Sequence, residues 1–199
     1  MPKNFTLQWC MSSGGKWLMK YFKRIPGFIQ INKKIGNFPN IHQVFYMSTL
    51  MKHYPEMKFV HLVRDGIDSV FGRIHANHGD DIFVPLDYDF NSKTWNALEK
   101  YERYAYVWKW MMEEAIKCRD NERYYEVRYE DILLKPKETI DKMFGFLEID
   151  NDEIKKEIIN SIKLDGLNRH KHYEKEKINK VMNIIKDIRK EVGYNELEK

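Results

Sequence analysis

Cysteine is almost absent: Cys10 and Cys118 are the only two, and neither has a Cys or His neighbour at zinc-ligand spacing. That excludes a disulfide framework and a structural metal, and both residues read as free thiols. Long apolar runs are missing too. The longest falls far short of the roughly eighteen residues needed to span a bilayer, and residues 1–30 lack the apolar core of a secretory leader. The expectation is a soluble, cytoplasmic protein without a membrane span. No charge of one sign dominates, because 34 Lys and Arg face 30 Asp and Glu for a net +4. This balance does not point to nucleic acid and leaves a small anionic ligand open. The Lys-rich stretch from Lys171 to Lys190 interleaves acidic residues and reads as a solvated helix face. What is present is a globular composition, 43% hydrophobic and 14% aromatic, which argues against disorder. At 199 residues the chain suits one domain, residues 1–199, around an ordinary core.

The periodicities alternate between strand and helix. FTLQWC (5–10) reads as a strand, MSSGGK as a loop, and Trp17, Leu18, Tyr21 and Phe22 as a helix face that Pro26-Gly27 ends. FIQINKKI alternates as a second strand would. Asn40 can cap a helix carrying Ile41, Val44, Phe45 and Ser48 and stopping at Tyr54-Pro55. FVHLV is a short run of the kind buried on both faces of a parallel sheet. Ile67, Val70, Phe71 and Ile74 then fall on one helix face. Residues 75–91 show no period and form a candidate substrate lid. Trp95 to Ala115 repeats apolar residues every three or four positions as one core helix. RYYEVRYED reads as a strand and Pro136 as the start of a helix. From residue 151 onward the pattern is helical, with a loop at Leu164 to His172. Strands alternating with helices imply an α/β fold with a central parallel sheet flanked by helices.

Arg64 ends the FVHLV strand where a helix begins. In parallel α/β sheets, ligands bind at the carboxyl ends of strands, beside the unpaired N–H groups and positive dipole end of the next helix. A guanidinium there can hold a phosphate through two parallel hydrogen bonds. The bland alternative is an ion pair from Arg64 to Asp65 or Asp68 that merely caps the helix.

KFVHLVRDGIDSV resembles the strand, arginine and helix of the sulfotransferase family that use 3'-phosphoadenosine 5'-phosphosulfate as donor. YYEVRYEDILLKPKETIDKMFGFLEI resembles that family's RYEDL segment and the helix after it. GNFPNIHQVFYMSTLMKHYPEMKFVH is similar to the segment leading into the arginine strand, and KEVGY to a common family ending. The resemblance covers roughly residues 35–194 and implies a P-loop-like three-layer fold. It also implies Arg64 at the donor's 3'-phosphate and sulfuryl transfer to a hydroxyl or amine of a small molecule, carbohydrate or other acceptor, with no metal. Tyr129 takes the place of a family tyrosine near the adenine, against plain core packing. Arg169 and Lys171 resemble the late basic loop that closes over the donor. Glu130 and Asp131 read as structural caps.

The chain departs from the family pattern in several places. The family serine eight residues beyond the arginine is Gly72, which leaves Ser69, one helical turn earlier, as a partial substitute or an ordinary exposed serine. The 5'-phosphosulfate loop, usually close to Lys-Ser-Gly-Thr-Thr, would be Ser13, Gly14, Gly15 and Lys16, with Lys16 in place of a hydroxyl residue. Either this is a compact loop whose charge comes from Lys16, or the true loop is absent and the chain is shortened at its N-terminus. His42 is the candidate base, against a surface histidine; the family lysine's place holds Asn37, and His75 and His78 suit acceptor binding. These departures keep open a non-catalytic nucleotide-binding remnant of the same fold. A kinase-like P-loop is disfavoured, because Gly14-Gly15-Lys16 lacks Walker spacing.

Overall fold

The computed structural model describes residues 4–9, 11, 13–31, 44–76 and 92–194. Three parallel strands, β1 (Phe5–Trp9), β2 (Lys58–Val63) and β3 (Tyr124–Arg128), form a sheet in that order. Register pairs Trp9 with Leu62 and Val63 with Arg128, so all three carboxyl ends lie along one edge. β2 is central and buried along its whole length, which is why its residues read as a continuous apolar run rather than an alternation.

Successive β2 side chains point to opposite faces and join two cores. Val60 and Leu62 pack with Phe5, Leu7, Trp9 and Val127 under α1 (Gly15–Phe22), α6 (Tyr129–Leu134), α7 (Pro136–Leu147) and α8 (Asp152–Asn160). Phe59 and Val63 face α2 (Met47–His53), α3 (Gly66–His75), α4 (Ser92–Ala97), α5 (Lys100–Ile116) and α9 (Lys175–Glu191). The result is the sandwich of helix, sheet and helix expected from the alternation of patterns.

Some expectations are corrected. Within FIQINKKI the described residues 28–31 form no strand, only one bridge from Phe28 to Phe5; residues 32–35 lie outside the described set, as do 40–43 and 77–91. The Trp95 to Ala115 helix is two helices. Glu99 starts the second with a capping box, its backbone N–H donating to Glu102 at 2.9 Å, and this breaks the chain inside an unbroken apolar rhythm. The RYYEVRYED strand ends at Arg128, and Tyr129 opens α6. The charged segment from Lys171 is α9 only in part; Lys175, Glu176, Lys186, Asp187 and Lys190 lie on its exposed face, while Val181, Ile185, Ile188 and Arg189 are buried on α3 and α5. Among the described residues no helix is long and apolar enough to cross a membrane.

Candidate active site

The chain leaves β1 into the loop 11–14 and enters α1 through Gly14, whose φ of 78° lies in the left-handed region that favours glycine. A Cβ on Gly14 would come within 2.8 Å of the Tyr129 ring, and one on Gly15 would overlap the Trp9 indole. The two glycines therefore let α1 begin tightly against β1 and the start of α6. The Trp17 and Leu18 N–H groups donate to the Gly14 carbonyl at 2.9 and 3.2 Å, those of Gly15 and Lys16 precede any carbonyl of the helix that could accept from them, and the helix dipole presents partial positive charge there. Ser69 on α3 is fully buried and donates its hydroxyl to the Met11 carbonyl. It thus props the loop from below and does not line the cavity above it.

β2 ends on Arg64, only 3% exposed. The Trp108 indole N–H donates to the Arg64 carbonyl at 3.1 Å and fixes the backbone. The Arg64 guanidinium lies 5.1 Å from the centre of the Tyr129 ring, donates to the Gly166 carbonyl and stands 3.7 Å from the Asp68 carboxylate. Asp65 is committed elsewhere. It caps α3 by accepting from the Ile67 N–H at 3.1 Å and binds Arg189 of α9 through both oxygens at 2.9 and 2.8 Å. Of the two carboxylates that offered a purely structural role for Arg64, only Asp68 is beside it, and its main work is different.

Asp68 holds the late basic loop. It accepts from the Asn168 N–H at 2.7 Å, the His170 N–H at 3.1 Å and the His170 Nδ1 at 2.6 Å. Burial pushes its carboxyl up, but the side-chain and backbone hydrogen bonds from His170 and the Arg64 charge outweigh this and hold it below the ordinary carboxylate value. The 3₁₀ turns Leu164–Gly166 and Arg169–His172 are thereby tied to α3. Glu130 makes a similar tie on the other side, accepting from the Asp65 N–H at 3.0 Å and the Tyr194 hydroxyl at 2.8 Å; burial raises its carboxyl. It is a structural brace, and the family-like ending at Tyr194 has its physical reason here.

These elements enclose a cavity of about 290 Å³ lined by Ser13, Gly14, Gly15, Lys16, Arg64 and Arg169, with Trp9, Tyr129, Gly72, Arg73 and Ala76 completing the wall. The structure therefore brings together Ser13, Gly14, Lys16, Arg64, Tyr129 and Arg169, and leaves Ser69 beneath. Four cations and no carboxylate line it among the described residues. His42, Asn37 and His78 lie outside the described residues. Lys171 is exposed and lines no part of this cavity. A neighbouring cavity of about 650 Å³ shares Arg169 and is lined by His75, His172 and Tyr173. The sequence left Arg73 and His170 unmarked and offered Asp68 only as an ion-pair partner of Arg64; Arg73 was legible as the neighbour of Gly72 on the face of α3 that carries Ser69.

A loop between a strand and a helix and an arginine at the end of the next strand thus line one cationic cavity at the carboxyl edge of a parallel sheet, the edge at which α/β folds bind ligands. A family model described as "Sulfotransferase family" matches residues 5–153, and the chain belongs to that family. Three solved structures share its fold. Mouse sulfotransferase SULT7A1 complexed with PAP is 13% identical with a TM-score of 0.59, over 94% of this chain and 83% of that one. A sulfotransferase from Alicyclobacillus acidocaldarius is 12% identical with a TM-score of 0.54, over 94% and 96%. The sulfotransferase domain from the curacin biosynthetic pathway is 9% identical with a TM-score of 0.55, over 98% and 99%. A comparison with curated proteins found no match.

Proposed function

We propose that this chain, as one domain acting in the cytoplasm, transfers a sulfuryl group from 3'-phosphoadenosine 5'-phosphosulfate to a hydroxyl or amine of a small molecule, carbohydrate or other acceptor. The observation that carries the proposal is that Ser13 to Lys16 and Arg64, 48 positions apart at the nearest in sequence, line one cavity with no carboxylate among its described lining residues. The PAP complex of the mouse relative supports the choice of nucleotide.

In this reading Arg64 and Arg169 hold the 3'-phosphate, Tyr129 lies against the nucleotide, and the α1 amides with Ser13 and Lys16 hold the 5'-phosphosulfate. The acceptor atom attacks sulfur, the bond from sulfur to the bridging phosphate oxygen breaks, and its electron pair stays on that oxygen. Lys16 and the first-turn amides stabilise the charge developing there. The acceptor's proton passes to a base, for which His42 is the residue that the sequence resemblance supplies. The second cavity, with His75 and His172, is a candidate place for the acceptor. The chemistry requires no metal.

Gly72, which has no hydroxyl where the family has one, favours a second reading, a nucleotide-binding protein without turnover. Incubating the chain with labelled donor and a panel of phenols, sugars and amines separates the two. Label moving to an acceptor, with Lys16→Ala at least tenfold slower, supports transfer. Tight binding of adenosine 3',5'-bisphosphate with no release of label from the donor supports the second reading and overturns the first.

A further inference from the structure

Arg73 sits on α3 directly after Gly72 and lines the same cavity as Arg64, Lys16 and Arg169. Arg73 is half-buried, and its surroundings differ from those of the two buried arginines, Arg189 and Arg64. Arg189 is bound to Asp65 through both oxygens, and Arg64 donates to Gly166 and stands beside Asp68. Arg73 forms no ion pair among the described residues, and its Nε is buried without a hydrogen-bond partner. Its guanidinium lies over the ring of Tyr104, 5.8 Å away and itself buried. An aromatic face supports a guanidinium from one side and leaves its N–H edge for an anion. A buried donor left unmatched costs free energy that a ligand oxygen would recover. Helical side chains lean toward the helix N-terminus, so from its place on α3 Arg73 leans back toward the end where Arg64 enters.

Resting on the donor site proposed above, we propose that Arg73 is a specificity-determining contact for the ribose phosphate, a second guanidinium that does the work of the hydroxyl missing at Gly72. Gly72 and Arg73 then form one device. The glycine removes the short donor and opens the wall, and the arginine, longer by several bonds and charged, binds the phosphate from the same face of the helix. Arg73 therefore favours nucleotides bearing a phosphate on the ribose ring over those with a 5'-phosphate alone.

Calorimetric titration with adenosine 3',5'-bisphosphate and with adenosine 5'-monophosphate, on the wild type, Arg73→Gln and Arg73→Lys, tests this. One charge-assisted contact corresponds to roughly a tenfold to hundredfold change in affinity. Arg73→Gln should weaken the bisphosphate by about that factor and leave the monophosphate within about twofold, with Arg73→Lys in between. Equal bisphosphate affinity in Arg73→Gln and wild type overturns the assignment of Arg73 while leaving the donor site standing. Equal loss for both nucleotides also overturns it, since that reports a general disturbance of the cavity. A wild type that binds neither nucleotide removes the donor site itself, and this inference with it.

Discussion

Replacing Asp68 by alanine should both destabilise the protein and loosen its cavity, because this one carboxylate joins α3 to a loop about 100 residues away in sequence. Three donors lose their acceptor: the Asn168 N–H at 2.7 Å, the His170 N–H at 3.1 Å and the His170 Nδ1 at 2.6 Å. Arg64, 3.7 Å away, loses its counter-charge. Hydrogen bonds to a charged group contribute about 1.5–3 kcal/mol each and are not additive, so the total for such a buried cluster is about 3–5 kcal/mol. For a chain of this size that is roughly 6–20 °C in melting temperature. Asp68→Asn keeps the shape and one acceptor oxygen and should cost about half as much. Because the folded carboxyl is held below its unfolded value, its contribution is present above about pH 4 and lost as pH falls through the folded value. The acid limb of the stability curve should therefore be shallower in Asp68→Asn. Urea unfolding at pH 7 and at several values below 4, with bisphosphate titration at pH 7, measures all of this. The reasoning fails if Asp68→Ala unfolds within about 0.5 kcal/mol of the wild type, or if it is destabilised yet binds the bisphosphate unchanged.

Two further outcomes follow from local geometry. Gly14→Ala places a Cβ at a φ of 78° and 2.8 Å from Tyr129; it should lose about 1–3 kcal/mol and bind the bisphosphate more weakly, and a variant equal to wild type in both would show that neither the backbone nor the ring is constrained. His61 is fully buried, shares a 2.7 Å hydrogen bond with the Tyr124 hydroxyl, and burial lowers its pKa to about 4. The unfolded chain binds the proton first as pH falls, so stability should drop by about 3 kcal/mol between about pH 6.5 and pH 4. His61→Phe should flatten that slope, and an unchanged slope would assign it to other groups.

Much of this was legible from local pattern. FVHLV, Arg64 and the Ile67 to Ile74 face announce strand, charged end and helix because each signal lies within one element. The phosphate-type loop was legible as a possibility, since Ser13 to Lys16 sits between a strand and a helix, but whether it faced Arg64 depended on the order and direction of strands that no local period encodes. Ser69 reads locally as an exposed serine or a ligand; only the approach of the loop above it shows a prop for Met11. Asp68 reads as a first-turn helix acid, and its loop partners lie beyond the reach of any periodicity. The break at Glu99 was hidden because the apolar repeat runs through it, while the capping box is written in two glutamates. Arg73 carries no local signal of its own, because a single basic residue in the last turn of a helix reads as an ordinary partner of the helix dipole.

The most direct measurement is a titration of adenosine 3',5'-bisphosphate into the wild type and into Arg64→Gln, with circular dichroism confirming that both are folded. Binding by the wild type and at least a hundredfold loss in Arg64→Gln is the predicted result, since two charge-assisted bonds to one phosphate disappear. Equal affinity in the two proteins would contradict it and reduce Arg64 to a strut between α3 and the loop at Gly166.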